Sequence, residues 1–91
     1  MKELKASTQF KKDYKKYRNN PKKVSELYRI LVLLKNDQPI PEENYPHLLK
    51  GKYAGYMECH IESDFLLIWL DLESNIIKLV RLGSHSELFK N

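Results

Sequence analysis

The spacing of apolar residues changes once along this chain, from a helical repeat to an alternation of two. Before residue 36, apolar side chains recur every three or four positions, which is the repeat of an amphipathic helix. After residue 55, polar and apolar residues alternate, or the run is apolar throughout, which is typical of strands. The chain is therefore confined to folds in which helices are followed by a sheet.

Two helices are predicted before residue 36. The first spans 8–19 and is capped by Ser7 or Thr8. Three aromatic residues share one of its faces: Phe10, Tyr14 and Tyr17. Asn20 caps the second helix, and Pro21 fits its first turn, where a missing N–H costs nothing. The apolar stripe of this helix consists of Val24, Leu27, Tyr28, Leu31 and Leu34. We expect the two helices to form a hairpin.

A short strand over 4–6 and three later strands are predicted to form the sheet. The later strands cover 56–61, 65–70 and 76–82, after a polar connection over 38–52. In the first of them, Glu58 and His60 lie on the polar face and Cys59 on the apolar face. The order β-α-α-β-β-β predicts an α+β fold, with a helical hairpin packed on a small antiparallel sheet.

Length and composition exclude several classes of protein. The 91 residues suit a single domain over 1–91, and 42% hydrophobic with 31% charged residues is a globular composition. The longest apolar run, over 65–70, is far shorter than the roughly 20 residues of a membrane helix. Cys59 is the only cysteine, so no internal disulfide forms and a reducing cytoplasm is expected. These features exclude a membrane protein, a disulfide scaffold and a multidomain enzyme.

Positive charge is concentrated in the N-terminal part of the chain. Residues 1–35 carry a net charge of +8, and residues 36–91 carry −4. Such an asymmetry suggests a basic face that binds a polyanion. The alternative, that the lysines are only the solvated side of two helices, is about as well supported by charge alone.

All three histidines lie in the acidic part of the chain. Asp64 follows His60 by four residues across a turn, and His85 follows Arg81 by four. Histidine moves protons in either direction near neutral pH, and arginine stabilises charge on a phosphate. Together they supply what metal-free RNA cleavage needs: a base, an acid and a cation. Each residue also has an ordinary interpretation, as a loop residue, a turn former or a cap, and only their convergence would favour catalysis.

A metal or other cofactor is not expected. Cys59 and His60 are adjacent on a strand, so their side chains point to opposite faces and cannot share one ion. The spacing of a structural zinc site is absent. Cys59 is more consistent with a small core residue than with a nucleophile.

Four segments resemble the YafQ branch of the RelE toxin superfamily, which belongs to bacterial type II toxin–antitoxin systems. They read FKKD at 10–13, HLLKG at 47–51, ECHIESD at 58–64 and RLGSHSELF at 81–89. The resemblance implies a β-α-α-β-β-β fold, an endoribonuclease that cuts mRNA, often in the ribosomal A site, and neutralisation by a small antitoxin. Phe65 stands where some relatives carry tryptophan.

The resemblance also implies the positions of the site residues. They are His47, His60, Asp64, Arg81, His85 and Phe89. His85 would be a principal proton-transfer residue assisted by His60 and Asp64, with His47 near the phosphate. Arg81 would stabilise charge, and Phe89 would pack against a base or order the tail. We further predict that RNA is contacted by Lys11, Lys12, Lys15, Lys16, Lys50 and Lys52.

Two functions from different classes remain open at this point. One is a metal-independent mRNA endonuclease toxin in the cytoplasm, acting with mRNA and the ribosome and bound by a cognate antitoxin. The other is a non-enzymatic toxin of the same fold that inhibits its target by binding, as gyrase-poisoning relatives do. A plain RNA-binding module is a weaker third. Binding-only relatives have no use for a set of histidines, so the sequence favours the enzyme.

Overall fold

A computed structural model describes residues 1–89, and its N-terminal part follows the predicted order. Strand β1 spans Glu3–Ala6, helix α1 Thr8–Lys15 and helix α2 Pro21–Lys35. Both capping predictions are confirmed, with the Ser7 hydroxyl accepting from the Phe10 N–H and the Asn20 side chain accepting from the Lys23 N–H. The helix starts were predictable because capping depends on residues only three positions apart.

The remaining elements form most of a five-stranded sheet. They are β2 (His47–Leu48), β3 (Met57–Glu62), β4 (Phe65–Asp71), β5 (Ile76–Gly83) and a one-turn helix α3 (His85–Leu88). The strand order is β1-β5-β4-β3-β2. The three long strands confirm the α+β prediction, whereas β2 and α3 lie in segments predicted as a connection and a tail.

The prediction of an antiparallel sheet was wrong at one edge. Strand β1 pairs in parallel with β5, from Glu3 opposite Ile76 to Ala6 opposite Leu79, and the other pairings are antiparallel. Ser7 caps α1 directly after β1, and α1 packs along β5. The C-terminal end of β1 must therefore lie beside the C-terminal half of β5, where α1 packs. This arrangement makes the two strands parallel.

The main core lies between the helices and one face of the sheet. Helix α2 contributes Leu27, Ile30 and Leu34. The prediction that Tyr28 belongs to the buried stripe of α2 was wrong, because Tyr28 is 68% exposed. Helix α2 packs on the sheet through the neighbouring face, which carries Ile30. Cys59 is fully buried in this core, and burial raises the pKa of its thiol to about 12. The core interpretation of Cys59 is confirmed.

The opposite face of the sheet carries a second, smaller cluster. Leu66 and Ile68 of β4 point to this face and pack with Leu88 of α3. Partly buried residues complete the cluster: Leu49, Tyr53, Tyr56, Val80 and Phe89. Among residues 1–89, no helix is both long and apolar enough to cross a membrane.

Candidate active site

A buried carboxyl group lies between two histidines on the face of the sheet opposite α1 and α2. Glu58 of β3 is opposite His47 of β2 in the strand register. Its Oε1 lies 3.2 Å from Nε2 of His47 and 4.0 Å from Nε2 of His60. The Glu58 residue is only 3% exposed, while both histidines are partly exposed. The structure thus brings the predicted residues His47 and His60 together around a third group.

The contacts of His47 determine how protons are distributed in this cluster. Its Nδ1 lies 2.8 Å from the Tyr45 carbonyl, which only accepts, so Nδ1 carries a hydrogen. Its Nε2 faces the Glu58 carboxyl group. A neutral His47 with this tautomer would direct a lone pair at an ionised Glu58, which is repulsive. A hydrogen bond between His47 Nε2 and Glu58 Oε1 therefore requires a proton on the imidazole or on the carboxyl group.

Burial raises the pKa of Glu58 above its ordinary value, and the charges of His47, His60 and His85 act in the opposite direction. Glu58 Oε2 is a buried atom without a hydrogen-bond partner among the described residues. Burying a polar group costs free energy unless a hydrogen bond or an opposite charge compensates for it. Groups with a perturbed pKa cluster at functional sites. The charges of all three histidines therefore act on the buried carboxyl group of Glu58.

Asp64 and His85 form the second part of the site. Asp64 Oδ1 accepts a hydrogen bond of 2.9 Å from the backbone N–H of His85, at the first residue of α3. A capping box between Ser84 and Glu87 closes the same turn. The imidazole of His85 lies at the surface, with its centroid 4.9 Å from that of Phe89. Asp64 thus anchors the backbone that carries His85.

Glu87 connects α3 to the end of α1. Its carboxylate accepts a short hydrogen bond from the Tyr17 hydroxyl and lies 3.5 Å from the Lys16 ammonium. Hydrogen bonds from the Ser84 backbone and from Tyr17 lower the pKa of Glu87 to about 2. Burial, together with this carboxylate, raises the pKa of Tyr17 to about 12. The position of α3 is therefore set by α1 as well as by the sheet.

Arg81 is held by a buried aspartate of α1. Its Nε donates to Asp13 Oδ2 over 2.9 Å, and Asp13 also accepts from the Leu82 N–H over 3.0 Å. The pairing of β1 ends opposite Leu79, so this part of β5 lacks a strand partner on that side and Asp13 satisfies its backbone. Burial opposes ionisation of Asp13, but hydrogen bonds from Arg81, Leu82 and Gln9 leave its pKa below the ordinary value.

Aromatic rings line both ends of the site. The Tyr53 ring packs edge-on against Phe89, with centroids 5.9 Å apart. At the other end, the Tyr45 ring lies against His47, with centroids 4.4 Å apart. Phe89 is partly buried against the second cluster, and its ring lies next to that of His85.

The six predicted RNA-binding lysines are all exposed and form two groups. Lys50 precedes the short helical turn Gly51–Tyr53 before β3 and Lys52 lies within it, where the Lys52 ammonium is 5.6 Å from the centroid of the Tyr53 ring. The other four belong to α1 and its C-terminus, where Lys16 reaches α3 through Glu87. One lysine of each group, Lys16 or Lys52, thus contacts a residue beside the site.

Sequence reasoning missed two residues of this site, Glu58 and Asp13. Glu58 was placed on the same strand face as His60, and that shared face was the available signal. Asp13 lies within the FKKD segment, where it was counted only as a charge. Among residues 1–89, no group of three or more histidine, cysteine, aspartate or glutamate side chains is arranged to hold a metal ion.

The fold and the site define a small α+β protein of the RelE type, with helices on one face of a mixed sheet and a histidine cluster on the other. Comparison with known protein families supports this class. The family model described as the bacterial toxin of type II toxin–antitoxin systems, YafQ, matches residues 2–90. The chain belongs to the YafQ toxin family.

Three relatives illustrate the similarity. The mRNA interferase toxin YafQ of Escherichia coli is 32% identical over 88 residues, which are 96% of this chain and 95% of that protein. YafQ in the E. coli DinJ–YafQ complex is 30% identical with a TM-score of 0.84, over 98% of this chain and 99% of that one. A metal-bound toxin from Helicobacter pylori is 38% identical with a TM-score of 0.87, over 98% of this chain and 100% of that one.

Proposed function

We propose that this toxin is an endoribonuclease that cuts mRNA and that its histidine cluster performs the chemistry. The name of its E. coli relative, mRNA interferase toxin, supports this activity. The observation that carries the proposal is the Glu58 carboxyl group, which is buried between His47 and His60 and has one oxygen without a hydrogen-bond partner within residues 1–89. A toxin that acted only by binding would gain nothing from the cost of burying this group. In acid–base catalysis the same group holds a proton in place.

In the proposed reaction, the 2′-hydroxyl of the RNA attacks the adjacent phosphorus and the 5′-oxygen leaves. A base takes the proton of the 2′-hydroxyl, and an acid gives a proton to the leaving oxygen, so the products are a 2′,3′-cyclic phosphate and a 5′-hydroxyl. His85 and His60 are the proton-transfer residues. His47, protonated through Glu58, and Arg81, oriented by Asp13, stabilise the charge on the phosphorane. Asp64 holds the His85 backbone in place.

A cognate antitoxin and the ribosome are the proposed partners. The complex of DinJ with the E. coli relative supports an antitoxin partner for this chain. An apolar groove runs along α1 and α2 between Phe10, Tyr14 and the exposed Tyr28, with Lys11 and Lys15 at its border. An amphipathic, acidic segment of an antitoxin has the complementary chemistry for this groove.

The proposed function is tested by cleavage of mRNA with purified protein, with and without ribosomes. We expect cleavage to persist in EDTA, because Glu58, the histidines and Arg81 supply an acid, a base and a cation. We expect no cleavage when the scissile nucleotide carries a 2′-deoxy substitution, because the nucleophile is then missing. Loss of cleavage in EDTA would mean that a metal participates, which the metal-bound H. pylori relative makes a necessary control.

Neutralising the exposed lysines of α1 is expected to weaken RNA binding in a salt-dependent way. Replacing Lys11, Lys12 and Lys15 with glutamine should reduce the slope of log K against log [salt] by about two, because each phosphate contact contributes about 0.7 for single strands. Lys16 is left intact because it pairs with Glu87. The measurement is RNA affinity over a range of salt concentrations.

A matched triple variant controls for net charge. Lys5, Lys35 and Lys78 are equally exposed but lie on β1, α2 and β5. Changing these three to glutamine should leave the slope nearly unchanged. Equal slopes for wild type and both variants would show that the lysines of α1 are only solvated surface.

A further inference from the structure

Tyr45 is an exposed aromatic residue whose backbone is held in an unfavourable conformation beside the histidine cluster. Its φ and ψ are 49° and 58°, in the left-handed region that non-glycine residues rarely adopt. Its residue is nonetheless 61% exposed, so burial of the ring does not compensate for this conformation. Backbone strain of this kind is concentrated at functional sites, where the surrounding structure maintains it.

The surroundings of Tyr45 hold it firmly. Its N–H donates to the Glu42 carbonyl over 2.8 Å, and its own carbonyl accepts from His47 Nδ1 over 2.8 Å. The neighbouring Asn44 is buried and donates to the His60 carbonyl, also over 2.8 Å. The ring is therefore attached at a defined position to the two strands that carry His47 and His60.

The geometry of the ring leaves a surface for a ligand. The Tyr45 ring lies 4.4 Å from His47 at an interplanar angle of 34°, and 5.6 Å from His60 in an edge-on arrangement. These contacts use only part of the ring, and the rest faces solvent next to both histidines. An exposed, immobilised aromatic ring beside a phosphate-binding group is the feature on which an unpaired nucleobase stacks.

We propose that Tyr45 forms a base-stacking subsite for the RNA nucleotide adjacent to the scissile phosphate. This inference rests on the proposed endoribonuclease function and adds an RNA-binding residue to it. The ligand is a single-stranded nucleotide, because a stacked base must be unpaired to expose its face to the ring.

The test compares Tyr45→Asn, Tyr45→Phe and Leu72→Asn with the wild-type toxin. Asparagine tolerates the left-handed backbone, so Tyr45→Asn removes the ring without new strain. We expect this variant to raise KM by about 5–100-fold, the value of one stacked base, with kcat little changed. Tyr45→Phe keeps the aromatic ring and should therefore have the KM of the wild-type toxin. Leu72→Asn is the matched control, because Leu72 is also a large exposed apolar residue but lies in the turn between β4 and β5, and it should leave both parameters unchanged.

A second measurement separates this inference from the proposed function. Affinity for a 2′-deoxy-substituted oligonucleotide, which is bound but not cut, should fall in Tyr45→Asn by the same factor as KM rises. An abasic nucleotide next to the scissile position should abolish the difference between wild type and variant. If kcat falls and affinity does not, Tyr45 only positions His47 and the inference is wrong. If antitoxin affinity falls instead of RNA affinity, the ring belongs to a protein interface and the inference is also wrong. If the wild type does not cut RNA at all, the proposed function fails, while the oligonucleotide affinities still decide the role of Tyr45.

Discussion

Replacing His85 with alanine is expected to slow RNA cleavage by about 10²–10⁴-fold, the contribution of a positioned proton-transfer group. The imidazole is exposed at the start of α3, and only the backbone of this residue bonds to Asp64. The capping box of Ser84 and Glu87 remains in the variant. The melting temperature should therefore change little, because the lost side chain does not support the core. Single-turnover kinetics measures the change in cleavage rate, and thermal melting measures the change in melting temperature.

Ser86→Ala is the matched control for this prediction. Ser86 is exposed on the same turn of α3 as His85 and has no proposed role in the chemistry. Its replacement should leave the cleavage rate within a few-fold of the wild type. A rate for His85→Ala that matches the rate for Ser86→Ala would remove His85 from the mechanism, and the proton transfer would then have to be assigned to His47 or His60.

Replacing Arg81 with alanine is expected to lower the cleavage rate by about 10²–10³-fold and also to destabilise the protein. The loss of rate follows from removing a cation that stabilises the phosphorane. The loss of stability follows from Asp13, which is 1% exposed and would keep a buried charge without its main partner. This variant thus differs from His85→Ala, which should affect the rate alone.

The double variant Arg81→Ala with Asp13→Asn separates the two effects. Removing the negative charge of Asp13 should restore much of the melting temperature, while the amide still accepts from the Leu82 N–H. The cleavage rate should stay low, because the cation is still missing. Recovery of the rate along with the stability would mean that Arg81 serves the fold and has no role at the phosphate.

Local features of the sequence were sufficient to predict the helices and the long strands. The cap at Ser7 acts on an N–H three residues away, and the alternation around Cys59 reflects the two faces of a single strand. These effects operate within a few residues, so they can be read without knowing the rest of the fold. The same reasoning placed Glu58 and His60 on one face and Cys59 in the core, and the structure confirms both placements.

Contacts between distant residues were decided only by the tertiary structure. The Asp13–Arg81 pair joins residues 68 positions apart, and it depends on β1 ending before β5 does. The burial of Glu58 requires β2 to pair beside β3, and β2 has only two residues, too few for a recognisable pattern. The exposure of Tyr28 depends on which face of α2 rests on the sheet.

The physical reason for this division is that hydrophobic periodicity and capping are local, whereas burial and ion pairing depend on the assembled sheet. The sequence by itself determined which segments become the two main helices and the three long strands, and it identified histidines, Asp64 and Arg81 as candidate reactive groups. Only the tertiary structure decided that Glu58 lies between two of those histidines, that Asp13 holds Arg81, and that β1 runs parallel to β5. Each of these depends on the order of strands in the sheet, which brings together side chains that are far apart along the chain.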